Sequence, residues 1–533
     1  MSAARTLSGK LGSLLKGAAL AAIMAAVASP ALADWKKYES PRFILYSSGS
    51  GSEAREMLEE LEKFDRIMRM FMGSDVDGVP YRKLPIYLVS SSGLRTIWPD
   101  AGENVAGFYT ATDEDIYAVA TRGSDNHTLK HEYAHHFMQS DFSYPYPGWF
   151  VEGFAEYYAP TLFKRNETHV GVPNPNRAMA LSYLSWMSMS ELLANRPQKR
   201  VRNVDSYYPL SWLLTHWFMG NEARRAQLHT HLTEVGSGAD PVEAMERVTG
   251  LTPVELRRTL RRYMNSRVPY MGVRTEFPAI EITVESLPDA ADDLLLLDQQ
   301  LKAATSEERR AQTLATVRQR AARYPDEPFA LLILAHAELH NARDPQKAAT
   351  ILEHLLSIDS NHVEALQYLA RTKQDLAEKA AEANDPDGAQ ALRREAQSLL
   401  GRAYQLDDAN FITMMLIAEN RRGEPSYPTD NDIEVLDIAY TLAPQLGETR
   451  YNYASALLAR GRNQEAVNVI SPLVNNPHSE NPAAKALLLR AQGKTEADEA
   501  AAEEALRRKA AEEGTDDGDE GAGEEDKPAG GVT

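Results

Sequence analysis

The sequence predicts two folded parts of different class, an α+β domain followed by an all-α array of helices. Three observations lead there. Up to about Arg274, short alternating apolar segments are mixed with stretches that repeat apolar residues at helical spacing. After about Ala290 the chain becomes Ala- and Leu-rich with few strand signals. Within that second part a spaced apolar pattern recurs along the chain, the mark of a repeat array.

In the first part, Arg42 to Tyr46 and Leu84 to Val89 read as strands. Ser52 to Met72 reads as a helix with Met57, Leu61, Phe64 and Met68 on one face and Ser52 as its N-cap. Val105 to Tyr109 and Ile116 to Ala120 flank the polar connector Thr110 to Asp115, which suits a hairpin. A helix from about Thr128 follows. Residues 275–289 are expected as a linker and 290–495 as the helical array.

The recurring pattern is Ala, three residues, Leu or Ile, two residues, then Ala or Leu. It stands at Ala348/Leu352/Leu355, Ala396/Leu400/Ala403 and Ala466/Ile470/Leu473, with a weaker copy at Asp432/Leu436/Ala439. Successive copies lie 48, 36 and 34 residues apart. The last spacing and the polar turns that follow the anchors resemble degenerate tetratricopeptide repeats. That resemblance implies a protein partner or substrate held on the helices. Residues 496–533 carry 14 acids against 4 bases, a composition expected to remain a disordered acidic tail.

The chain is 533 residues long with 57 Lys+Arg against 76 Asp+Glu, and a formal charge of -19 disfavours nucleic acid and anionic lipid as partners. It has no cysteine, so any metal must be held by His, Asp or Glu. The first 33 residues hold Arg5, Lys10 and Lys16, an apolar run from Gly17 to Val27, and Ala31-Leu-Ala33 before Asp34. This reads as a signal peptide cut after Ala33. No later segment reaches a spanning length, so a periplasmic or extracellular location is expected, with no membrane span after cleavage.

The chemistry centres on His131-Glu-Tyr-Ala-His135. On a helix the two histidines at i and i+4 share one face and can hold one zinc, with Glu132 beside it as a general base. Seventeen residues on, Glu152 lies in Gly148-Trp-Phe-Val-Glu-Gly-Phe-Ala-Glu156, after a proline-containing turn that can reverse the chain. Two imidazoles and one carboxylate leave a fourth position for water, as in catalytic zinc sites. Glu156 shares the face of Glu152 and could accept the other N–H of a ligating histidine.

HExxH followed by Trp-x-x-Glu-Gly-x-Ala-Glu resembles the gluzincin metallopeptidases, most closely the peptidase-MA-like domains fused to tetratricopeptide repeats. The resemblance spans roughly residues 34–274, and its specific part is Lys130 to Tyr158. It implies a zincin-like fold with Ile116 to Ala120 as the edge strand of the cleft, and one Zn2+ per chain on His131, His135 and Glu152. It implies Glu132 as general base, Glu156 behind the ligands, and a Tyr or His from a later helix as oxyanion donor. Tyr208 is favoured for that donor, because Tyr208-Pro-Leu-Ser211 resembles the start of the relatives' helix; Tyr207 and His216 remain alternatives.

His136, about 100° round the helix from its neighbour, and His127, before the helix, are read as packing, capping or solvent groups. The Trp149/Phe150/Phe154/Tyr157 cluster is read as core. The expected activity is peptide-bond hydrolysis, and the absence of an upstream Gly-x-Met-Glu-Asn-like segment favours an endopeptidase. The alternative is a degenerate peptidase-like scaffold whose repeats bind proteins, although a scaffold has no need of Glu132. A purely structural metal is disfavoured because such sites are usually closed by four protein ligands.

Overall fold

The computed structural model describes residues 35–516 apart from 103–104, 113, 125, 142–143, 195–201, 267, 304–305 and 477–479. The signal peptide and its cleavage point lie outside the described residues, as do residues 517–533. No helix among the described residues is long and apolar enough to cross a membrane.

Six strands form the main sheet: β1 (Lys36–Glu39), β2 (Phe43–Ser47), β3 (Leu84–Val89), β4 (Gly107–Ala111), β5 (Ile116–Thr121) and β9 (Thr283–Ser286). Their order is β4-β5-β3-β2-β1-β9, with β2, β3 and β5 parallel and the flanking strands antiparallel. The predicted hairpin is present and extends to Ala111. The strand implied to be the edge is not: β5 is paired on both sides, and the edge is β4. The reason is burial, since all six residues of β5 are buried, whereas β4 is half-buried along its length.

Alternation along the strands serves two cores. Phe43, Leu45, Ile86, Leu88, Ala118 and Ala120 face one side, packed with α1 (Gly51–Met72), α3 (His127–Asp141) and α4 (Gly148–Tyr158). Tyr87, Val89, Tyr117 and Val119 face the other, against α2 (Ser91–Ile97) and Ala291 and Leu295 of α11 (Ala290–Lys302). A sheet covered on both faces permits near-continuous apolar strands such as β3 and β5. The helix α1 buries Met57, Leu61, Phe64 and Met68 as the spacing predicts. It begins one residue before Ser52, with Ser50 at the N-cap, and Gly73 closes it at φ 72°.

Between α4 and α11 lie β6 (Leu162–Phe163), β7 (Thr168–Val170) and β8 (Met271–Val273), which make a small antiparallel sheet. The helices of that stretch are α5 (Pro175–Tyr183), α6 (Met189–Leu193), α7 (Tyr207–Met219), α8 (Glu222–Gly236), α9 (Pro241–Thr249) and α10 (Pro253–Met264). The expected linker at 275–289 is not merely a connector. Its residues 283–286 form β9, which closes the far edge of the main sheet on β1.

Then follow α12 (Glu307–Ala321), α13 (Pro328–His336), α14 (Pro345–Ile358), α15 (Val363–Glu382), α16 (Pro386–Leu406), α17 (Phe411–Arg421), α18 (Asp430–Leu442), α19 (Gly447–Ala459), α20 (Asn463–Val474) and α21 (Pro482–Gln492), each packed on the next through most of the series. The four recurring triads fall on α14, α16, α18 and α20, that is, on every second helix. All but the half-buried Leu473 are buried. This is a helical repeat region built of pairs. The long 48-residue interval arises because α15 and α16 are 20 and 21 residues long.

The expected disordered tail is helical over its first part, α22 (Glu496–Asp516). Thr495 and Asp498 cap its start reciprocally. Near its end Glu513 accepts hydrogen bonds from the backbone N–H groups of Met189 (2.7 Å) and Ser190 (3.0 Å), the opening of α6. These contacts dock the end of the helix on α6.

Candidate metal centre

The three predicted ligands converge. His131 and His135, one turn apart on α3, place their Nε2 atoms 3.1 Å from each other, and Glu152 Oε2 from α4 lies 3.6 Å from the first and 3.4 Å from the second. Pro147 at the N-cap of α4 turns the chain back so that Glu152 arrives one turn into the helix. All three side chains are largely withdrawn from solvent. Two imidazole nitrogens aimed at each other and at a carboxylate leave lone pairs opposed unless a cation or proton lies between them. The donor set and spacing fit zinc, whose tetrahedral ligands stand about 3.3 Å apart.

The residue after Glu152 explains how tightly α4 is held. A Cβ on Gly153 would collide with Thr215 Oγ1 and with the Ser211 carbonyl oxygen, both on α7. Only glycine permits that approach. It brings the first turn of α7, with Tyr208, to the same cavity as the ligands.

Behind the ligands, Glu156 Oε1 sits 3.5 Å from Nδ1 of His131. Glu156 is fully buried, and Arg177 on α5 neutralises it through two hydrogen bonds, from Nε to Oε2 at 3.0 Å and from Nη2 to Oε1 at 2.5 Å. Asn174, the N-cap of α5, adds a third donor at 3.4 Å. Sequence reasoning missed Asn174 and Arg177. The signal available was only that a buried carboxylate needs a cation, and spacing does not say which of many arginines serves.

The electrostatics favour a cation. Burial pushes the His135 imidazole down, but Glu152, Glu132 and Glu156 more than offset it and hold it at about 9. The same field attracts a divalent ion in place of the proton. The Tyr208 phenol is raised by burial and by the Glu152 and Glu132 carboxylates, so it remains a donor at neutral pH.

His131, Glu132, His135, Glu152 and Tyr208 line one cavity of about 460 Å³. Of the two alternatives to Tyr208, Tyr207 is buried on α7 and does not line it. His216 is also buried, with its nitrogens on the Gly171 carbonyl (2.9 Å) and the Tyr263 hydroxyl (3.0 Å). His136 is half-buried, lowered by desolvation to about 4, and meets the Tyr109 hydroxyl of β4 at 3.2 Å, tying the edge strand to the helix of His131 and His135. His127 opens α3, 3.5 Å from the Asn174 amide. Trp149, Phe150, Phe154 and Tyr157 are core, as read.

The cavity's far wall was not legible in sequence. It comes from the repeats: Gln445, Arg450, Pro472, Leu473, Asn475 and Asn476 face the ligands across it. Asn475 fixes that wall by donating to the carbonyls of Tyr146 (3.2 Å) and Pro145 (3.4 Å), in the turn before α4.

No known family model matches the chain, and no curated protein matches it. Among solved structures it is similar to a thermophilic TPR protein of Thermus thermophilus. That likeness covers 38% of this chain and 97% of the other, at 19% identity and a TM-score of 0.31.

Proposed function

We propose that this chain is an exported zinc-dependent peptidase whose helical repeats form part of the substrate cleft. The observation that carries the reading is the meeting of His131, His135, Glu152, Glu132 and Tyr208 on one cavity beside a free sheet edge. His131, His135 and Glu152 would hold the zinc, which supplies Lewis acidity to the scissile carbonyl and to the attacking water.

The chain's own groups supply the remaining steps. Glu132 accepts the water's proton and returns it to the leaving amine. The Tyr208 phenol donates to the oxyanion that develops on the carbonyl oxygen. Glu156, fixed by Arg177, holds the His131 ring so that Nε2 faces the centre. An extended substrate would pair with β4, where Tyr109 and Ala111 already line the cavity. The repeats, in their tetratricopeptide-like reading, would contact substrate on the opposite wall and present or recruit the protein to be cut. The N-terminal basic and apolar segment supports export to a periplasmic or extracellular space.

The test combines metal analysis with a quenched-fluorescent peptide library and a protein substrate such as casein. Purified protein should hold zinc and cleave. Glu132→Gln should retain the zinc on His131, His135 and Glu152 and lose at least about 10²-fold in rate. Glu152→Ala should lose both zinc at this site and activity. Cleavage at the parent rate by Glu132→Gln, or no cleavage of any substrate by zinc-loaded protein, overturns the peptidase reading and leaves a binding scaffold.

A further inference from the structure

A second cluster lies where the tip of the β4–β5 hairpin meets the repeats. Glu114, between the two strands, faces His336 at the end of α13 and His340 in the π-helical turn Ala337–Asn341 that follows. Glu114 Oε2 is 3.6 Å from His336 Nε2, and Oε1 is 3.4 Å from His340 Nε2. The donor atoms all lie within 4.8 Å of one another, as do those of His131, His135 and Glu152. The two histidines are again four residues apart, with ring centroids at 4.8 Å against 4.7 Å in the first centre. The geometry points to a second site for a divalent transition-metal ion of the zinc type, held by Glu114, His336 and His340, independent of the peptidase reading.

Five observations carry it. His336 is 2% exposed, yet its Nε2 completes no hydrogen bond, its Nδ1 meets only the Asp298 carboxylate at 3.5 Å, and Nε2 of His340 is buried without a partner as well. Buried polar atoms are rarely left so. A proton could bridge one imidazole to the carboxylate, whereas a cation serves all three donors at once. Both oxygens of Glu114 are also fixed from outside, Oε1 by Arg371 (2.8 Å) and Oε2 by the Tyr368 hydroxyl (3.1 Å), so the carboxylate cannot turn away from the histidines.

The outer contacts also repeat the first centre. His336 Nδ1 faces Asp298 Oδ1 at 3.5 Å, and Asp298 is held by Lys302 at 3.0 Å, just as His131 Nδ1 faces Glu156 at 3.5 Å and Glu156 is held by Arg177. A carboxylate behind a histidine is the arrangement that orients a metal ligand. The charges leave room for the ion. Lys302, Arg371 and Arg82 stand among Glu114, Asp298, Asp115 and Glu364, one negative charge in excess while the histidines are neutral. The π-turn widens the helix at this point, a distortion frequent at functional sites. Filled, the site would pin the edge hairpin of the catalytic sheet to the repeats.

Mass-spectrometric metal analysis of the full chain, reloaded with zinc and desalted, tests this. The expected content is two zinc ions per chain, one in Glu152→Ala, one in His340→Gln, and none in the double variant. Retained zinc at the first centre shows that His340→Gln has folded. Cobalt added to metal-free Glu152→Ala should give the visible bands of a low-coordinate ion, absent once His336 is also changed to Ala. A zinc-free Glu152→Ala chain with no cobalt spectrum overturns the second site. So does a His340→Gln chain with the parent's metal content. The first centre is then judged separately by the loss in Glu152→Ala.

Discussion

Arg177 grips Glu156 through two nitrogens and lies with its guanidinium 5.3 Å over the ring of Tyr208. One side chain from α5 thus braces the carboxylate behind His131 and the proposed oxyanion donor together. Arg177→Met should lower zinc affinity about 10- to 100-fold, with Arg177→Lys recovering part of it. Competition with a chromophoric chelator reads this directly. Unchanged affinity in Arg177→Met would show that Glu156 does not orient His131.

Tyr208 lines the cavity of His131, His135 and Glu152, while Tyr207 and His216 do not. Tyr208→Phe should reduce kcat about 10²- to 10³-fold with zinc content and KM little changed. Tyr207→Phe should leave kcat unaltered. Steady-state kinetics normalised to bound zinc separates the two, and equal effects would remove Tyr208 from the mechanism.

Gly153 allows α4 and α7 to touch, and two of the three atoms nearest an added Cβ belong to the backbone of Ser211. Gly153→Ala should therefore destabilise the fold by about 1–3 kcal/mol or more and move Glu152 relative to Tyr208. Calorimetry would show a lower Tm, and the variant should lose activity even where zinc is retained. A Tm equal to the parent's would mean the helices can part without cost.

His231 on α8 is buried beside Trp149 with neither ring nitrogen hydrogen-bonded, and burial lowers it to about 4. Its folded value lies below the unfolded value of about 6.5. Between these limits the unfolded chain binds the proton and the folded chain does not, so stability falls as pH drops from about 6.5 toward 4. The loss should reach about 2 kcal/mol by pH 5. His231→Phe should flatten this part of the pH dependence of Tm, and identical profiles would show that His231 does not titrate as burial requires.

The meeting of His131, His135 and Glu152 was legible in the sequence because their spacing is local. HExxH places two imidazoles on one helical face whatever the surroundings, and a turn rich in proline announces the return of Glu152. The triads on α14, α16, α18 and α20 were legible for the same reason, since periodicity within a helix predicts burial. Arg177, Asn475 and the pairing of β9 with β1 were not, because each depends on residues 21, 330 and over 240 positions apart meeting in space. The edge strand was misplaced because the resemblance, not the residues, assigned it, and only the parallel pairing of β5 with β3 shows that β5 lies inside. The tail misled through its composition: one glutamate, Glu513, docks where net charge predicts solvation.

The repeat region is fastened to the first domain at both ends. It starts with α11 on the sheet, where the Gln299 amide donates to the Tyr87 hydroxyl at 2.7 Å, and finishes with α22 on α6. Between those ends it also bears on the domain, through Arg371 and Tyr368 on Glu114 and through Asn475 on the turn before α4, so it behaves as a strip riveted along its length. Removing a helix pair would break one of these rivets and shift Leu473 and Asn475, the cavity's far wall, out of register with His131 and His135.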